Sequence, residues 1–233
     1  MSAREEILRR VRAANAAAGQ PAPPRVPRDY RIGGDHPAGH PELVRRLSAR
    51  LGDYRAGVVP TAGPSAPEVG AAVRAALTLA GVGAADPVLV PPGLPDGWCP
   101  QGIVDDAFAA SVLGGFAAVV TGCAAACAET GTLALDGSPG QGRRALTLVP
   151  DRHVCVVRAE QVVATVPELL ARLDPGRPLT LVSGPSATSD IELHRVEGVH
   201  GPRTLVVVLV APPPPAFPPA REPRPGVEKR HQT

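Results

Sequence analysis

The residues with the clearest chemical potential lie between positions 117 and 135, AAVVTGCAAACAETGTLAL. Glu129 is the single charge in that stretch. Small and apolar residues flank it on both sides, which predicts burial. A buried carboxylate must be paired, hydrogen-bonded or protonated, and such groups gather at functional sites. Two readings follow for Glu129. It acts in chemistry or ligand binding, or it ties down a loop by accepting backbone N–H bonds. Thr121 and Gly122 precede it, and Thr130, Gly131 and Thr132 follow it. Hydroxyls and glycine backbone of this kind suit the approach of an anion.

Similar turns recur along the chain. Thr61-Ala62-Gly63-Pro64-Ser65, Thr121-Gly122 and Ser183-Gly184-Pro185-Ser186-Ala187-Thr188 each follow a predicted strand. Ligands of open α/β sheets bind at the carboxyl ends of strands. Converging turns of this type would bind a small carboxylate or phosphate. Ordinary turn chemistry selects the same residues. Beyond the last turn, Asp190, Glu192 and His194 alternate, so an extended chain puts them on one face. That pattern suits a metal site or the capping of the turn. His200 lies between Gly198 and Gly201 and is a candidate acid or base near neutral pH, or a turn anchor. His36 and His40 beside Asp35 read as solvated loop histidines or as a second metal cluster.

Composition narrows the chemistry. The 233 residues suffice for one large core or two small ones. Aromatics make up 3% of the chain, so Val, Leu, Ala and Ile must build the core. The formal net charge of +2, with no basic stripe interleaved with aromatics, argues against nucleic acid. The only lysine is Lys229, in a proline-rich tail. Schiff-base chemistry, pyridoxal phosphate and a Walker-type lysine are therefore excluded from the core. Cys99, Cys123, Cys127 and Cys155 form no Cys-x-x-Cys pair and no cluster motif. Cys123-x3-Cys127 sits among alanines, where cysteine serves as a small apolar residue; a metal or redox role for the pair is the alternative. No signal peptide and no apolar run long enough to span a bilayer is apparent, so the expected location is the cytoplasm, with no membrane partner.

The elements that must position these residues read as an α/β alternation. Ser2 and Glu5 form a capping box ahead of a helix over 1–19. A Pro- and Gly-rich arm over 20–41 follows. Helices are predicted from 41, over 68–80, over 105–113 and over 166–173. Strands are predicted over 56–59, 87–90, 117–120, 133–135, 145–148, 153–157, 179–183 and 204–210. The last is a continuous Val/Leu run, as expected of a strand covered on both faces. Gly137 to Arg144 is a glycine-rich connection without the dinucleotide fingerprint. The expected architecture is a mostly parallel sheet flanked by helices over 42–211, with a small antiparallel insertion. A Pro-rich tail over 212–233 is predicted to be disordered.

Three segments together carry a resemblance. They are Ala128-Glu-Thr-Gly-Thr132; Gly142-Arg-Arg-Ala-Leu-Thr-Leu-Val-Pro-Asp-Arg-His153 with Glu160-Gln-Val-Val163; and Ser183-Gly-Pro-Ser-Ala-Thr-Ser-Asp-Ile-Glu192 with Gly198-Val-His-Gly-Pro202. In this order and spacing the chain resembles the LUD domain of the lactate utilization protein C family, the YkgG-type branch. Family members often carry a basic residue where Ala187 stands and an aliphatic one where Cys127 stands.

The resemblance implies a fold similar to the sugar-phosphate isomerase and CoA-transferase superfamily. It implies work beside two iron–sulfur partner proteins in oxidising L-lactate to pyruvate, with no cofactor in this chain. By fold analogy alone, Glu129 is similar to the loop glutamate of CoA transferases. The alternative reading is therefore an independent enzyme on a CoA ester or sugar phosphate using Glu129.

Overall fold

The computed structural model describes residues 2–18, 25–188, 196–197 and 201–210. The chain divides into two compact units, Met1–Arg31 and Ile32–Thr233. The first holds helix α1 (Ala3–Ala17). Ser2 Oγ accepts from the Glu5 N–H, and the Glu5 carboxylate accepts from the Ser2 N–H, which closes the predicted capping box.

The second unit runs α2 (Pro41–Asp53), β1 (Gly57–Pro60), α3 (Ala66–Leu79), β2 (Val88–Val90), β3 (Ile103–Val104) and α4 (Ala110–Leu113). It continues through β4 (Ala118–Gly122), β5 (Ala125–Cys127), β6 (Thr132–Leu135), β7 (Arg152–Arg158) and β8 (Val162–Val163). It closes with α5 (Val166–Ala171), β9 (Thr180–Val182), β10 (Ala187–Thr188), β11 (Val196–Glu197) and β12 (Thr204–Val210).

Six strands form one sheet in the order β1-β12-β7-β4-β2-β3, and every pairing in it is parallel. β3 lies to one side of β2 and β4 to the other, so the chain reverses its winding direction at β2. Both faces are covered, which is why β12 is a continuous apolar run. α3 lays Val69, Val73, Ala76 and Leu77 over Val120, Val154, Val156, Val206 and Val208. On the other face α2 sets Leu43, Leu47 and Leu51 against Cys155, Val157, Val207 and Leu209. All three leucines are fully buried, at the i, i+4, i+8 spacing of one helical stripe.

A second sheet, in the order β8-β5-β6-β9, shares this second face with α2. Its outer side packs on Leu169 of α5. It contains two antiparallel pairs, β5–β6 and β6–β9, and one parallel pair, β5–β8, so an antiparallel element is present but with partners the sequence did not mark.

Three local expectations differ from the structure. Residues 144–147 form a 3-10 turn rather than a strand. Gly142 and the Arg143 N-cap start it in place of an extended segment, and Leu146 still enters the core through it. The helix predicted over 105–113 is reduced to Ala110–Leu113. Asp105 is instead drawn to Arg143, whose guanidinium donates two bonds of 2.8 and 3.0 Å to its carboxylate. β3, β5, β8, β10 and β11 were not signalled: four of them have only two residues, and the Ala-Ala-Cys of β5 holds no β-branched or aromatic residue.

Candidate functional site

The predicted site residues fall at two ends of the main sheet. α2 leads directly into β1, so its C-cap Tyr54 marks the amino end of the parallel strands. The Glu129–Thr132 and Ser183–Ser186 turns lie at that end. A Cβ placed on Gly131 would come within 2.9 Å of Arg50 Cβ, and one on Gly184 within 2.5 Å of Tyr54 Cβ. Gly184 has φ of +85°, a conformation that L side chains rarely adopt. The two turns are joined by hydroxyls. Thr132 Oγ1 lies 2.7 Å from Thr130 Oγ1 and 2.9 Å from Ser183 Oγ. Ser186 N–H donates to the Pro202 carbonyl, which holds this end closed ahead of β12.

Glu129 is exposed, not buried as its neighbours suggested. Ala125 to Ala128 do enter the core. The chain then turns out, with the Glu129 N–H on the Ala164 carbonyl. A carboxylate that ties down a loop nearby is Glu168. Its carboxylate accepts N–H bonds from Gly34, Ala164 and Thr165. Burial pushes the Glu168 carboxyl up, but those backbone bonds outweigh it and hold it below the usual carboxylate range.

Thr121 and Gly122 are not part of this cluster. They end β4, at the carboxyl end of the sheet, and the convergence of all the turns on one ligand is not what the chain does. The 183–188 turn follows β9 of the second sheet, which runs the other way. Thr121 is fully buried and bonds through Oγ1 to His153 Nε2 at 2.7 Å. Thr188 pairs through its backbone with Val196. Asp190, Glu192, His194 and His200 lie outside the described residues. His36 and His40 stack ring on ring at 4.2 Å, and His40 Nδ1 caps α2 by accepting from the Glu42 N–H. Among the described residues, no group of three His, Cys, Asp or Glu could hold a metal ion.

The carboxyl end holds a crevice of about 330 Å³. Gly122 and Cys123 form one wall at the end of β4, and Val156 and Arg158 form another at the end of β7. Trp98, in the loop after β2, packs beside them and is itself buried. Gln161 ties the two strand ends together. Its Nε2 donates to the Cys123 carbonyl at 2.6 Å and its Oε1 accepts from the Arg158 N–H at 2.8 Å. The glycine-rich segment is a cover for this end. Gly140, at φ of +80°, accepts from the Gly122 N–H and donates to the Pro92 carbonyl. Glycine is required there because the backbone must pass within about a van der Waals contact of Gly93.

Cys123 neighbours Cys155 rather than Cys127; its thiol donates to Gln161 Oε1 at 3.8 Å, and the Cys155 thiol donates to the Gly122 carbonyl at 3.7 Å. The adjacent Cys155 thiol and burial together push Cys123 well above the ordinary thiol range. Cys127 points to the other side of the second sheet and donates to the Ala164 carbonyl. All four cysteines are free and buried.

Beside the crevice lies a wider cleft of about 1120 Å³. Arg143, Arg144 and Arg177 line it, but so do Asp105, Asp106 and Asp136. Arg143 is already spent on Asp105, which it holds below the usual carboxylate range. Trp98 and Arg158 were not marked as site residues by sequence, and Gln161 entered only within the quoted Glu160-Gln-Val-Val163 segment. A lone arginine at a strand end has no motif around it.

A chain with this sheet order has relatives. Residues 112–210 match the LUD domain family. Lactate utilization protein C of Deinococcus radiodurans is 45% identical over 182 residues, which is 75% of this chain and 82% of that protein. Lactate utilization protein C of Bacillus pumilus is 36% identical over 91 residues, 36% of this chain and 38% of that protein. The crystal structure of a DUF162 family protein from Deinococcus radiodurans aligns with a TM-score of 0.60 at 40% identity, covering 73% of this chain and 97% of that one. The parallel sheet, the second sheet on its face and the identity across most of both chains place the protein in one group: it belongs to the LUD-domain family of lactate utilization protein C.

Proposed function

We propose that this protein serves lactate utilization in the cytoplasm, as the cluster-free component of a system that oxidises L-lactate to pyruvate with iron–sulfur partner proteins. The observation that carries this reading is the 45% identity over 182 residues to a relative named lactate utilization protein C. The division of labour is supported by the cysteines. Four free thiols without cluster spacing in the sequence suit a component that leaves electron transfer to its partners.

The test is reconstitution. The purified chain alone should leave L-lactate unoxidised with an artificial electron acceptor. Adding the iron–sulfur partners should produce lactate-dependent reduction that stops when this chain is left out. Lactate turnover by the chain alone would defeat the reading. Turnover of a CoA ester or a sugar phosphate would favour the independent enzyme instead.

A further inference from the structure

The carboxyl-end crevice and the wide cleft beside it differ in charge. Among the described residues that line the crevice, Arg158 is the only charged one. Its guanidinium carbon sits 5.3 Å from the centre of the Trp98 ring, a cation–π contact. Contact through a ring face uses none of the five N–H donors of the guanidinium. No carboxylate among the described residues pairs with it, whereas Arg143, Arg177 and Arg203 each have an aspartate. Arg158, exposed at the end of β7, thus presents an oriented cation without a carboxylate partner among the described residues, at the ends of β4 and β7, where open α/β sheets bind ligands.

From this geometry we infer that the crevice is a binding site for a small monocarboxylate with a short apolar substituent, anchored by Arg158. A single guanidinium matches a single carboxylate, through two parallel N–H···O bonds. The volume of about 330 Å³ is at the low end for ligand sites, so the occupant has few heavy atoms. Pro95, Pro139, Val156 and the Trp98 ring offer apolar wall for its substituent. A dianion would find only one cation. The inference stands on the crevice alone. Lactate and pyruvate belong to the class it names, and only their physiological relevance rests on the proposed function.

Trp98 is the only tryptophan, so its fluorescence reports on the ring beneath Arg158. The full-length protein is titrated with propionate, L-lactate, pyruvate, succinate and inorganic phosphate, with calorimetry alongside. At least one monocarboxylate should bind saturably, and more tightly than succinate or phosphate. Arg158→Gln should weaken that binding at least tenfold, and Arg158→Lys should recover part of it. Arg144→Gln, in the neighbouring cleft, should bind as the parent does. Gly122→Ala tests the volume with Arg158 intact. Its Cβ would meet only Gly140 O at 3.7 Å and the Trp98 ring at 4.0 Å, so the fold accepts it while the crevice narrows. It should weaken binding severalfold.

No saturable binding by either method, undiminished binding in Arg158→Gln, or tighter binding of phosphate than of every monocarboxylate would each overturn the inference. Reconstitution separates the two claims. Partner-dependent lactate oxidation without monocarboxylate binding removes the site and leaves the function. Arg158-dependent binding without lactate oxidation does the reverse.

Discussion

The two ends of the main sheet carry similar residue types and use them differently. At the amino end, Thr130, Thr132 and Ser183 spend their hydroxyls on one another, and the turns that bear them are pressed onto Arg50 and Tyr54. At the carboxyl end, Gly122 and the Arg158 guanidinium border open volume. Polar groups that satisfy each other hold a fold together. A cation held on an aromatic face with its donors unspent is equipped for a ligand. The comparison predicts that substitutions at the amino end cost stability, whereas those at the carboxyl end cost binding.

The largest expected effect is Gly184→Ala. The substitution forces an L side chain into φ of +85° and drives a Cβ to 2.5 Å from Tyr54 Cβ. Conformational strain and overpacking together should remove about 2–4 kcal/mol. That corresponds to a melting temperature lower by roughly 10 °C for a chain of this size. Gly122→Ala, at the other end, should stay within about 0.5 kcal/mol of the parent. Equal losses at both ends, measured by thermal denaturation, would erase the distinction.

Glu168→Gln comes next. The substitution leaves one oxygen and no charge to accept from Gly34, Ala164 and Thr165, and should cost about 1–3 kcal/mol. The pH dependence has a definite sign. The folded-state carboxyl titrates lower than the unfolded one, so its stabilisation is full above the ordinary carboxylate pKa. It is lost as pH falls through the lower folded value. Melting temperature should therefore drop on acidification below about pH 4.5, and less steeply in Glu168→Gln. Parallel acid profiles would show that Glu168 is not the source.

Thr132→Val should cost about 1 kcal/mol. It removes the central hydroxyl of the Thr130–Thr132–Ser183 chain while keeping its shape. Monocarboxylate binding should not change. A stability change near zero in urea denaturation would mean that water serves the two outer hydroxyls equally well.

The sequence made the scaffold legible wherever one pattern ran long enough. The Val/Leu run of β12 announced burial on both faces, and the leucine spacing of α2 announced its stripe. Ser2 with Glu5 marked the start of α1. The burial expected of Glu129 misled because its apolar neighbours are a buried strand that ends two residues before it, at Cys127. Burial is set by where a strand stops, and the pattern of AAACAETGT does not mark the stop. The Cys123–Cys155 neighbourhood was invisible for a related reason. It depends on the β4–β7 register, which sets Thr121 opposite Cys155. Arg158 depends on two chain ends meeting, and no local spacing encodes that.

The smallest expected effect belongs to the residue that drew attention first. Glu129 is exposed at the amino end, on the turn that follows β5, with its backbone N–H on Ala164. Glu129→Gln keeps the size and removes the charge. Surface substitutions of this kind change stability by less than about 0.5 kcal/mol, so the melting temperature should move by no more than a degree or two. Monocarboxylate affinity should stay within about twofold, since Glu129 is exposed at the amino end of the strands while Arg158 ends β7 at the carboxyl end, and exposed charges are screened over about 10 Å at ordinary ionic strength. Fluorescence titration of the variant checks this. Weakened crevice binding would join the two ends into one site and break the comparison. If binding and stability hold but partner-reconstituted lactate oxidation falls, Glu129 acts on the partner side, and the two ends divide the work between docking and ligand capture.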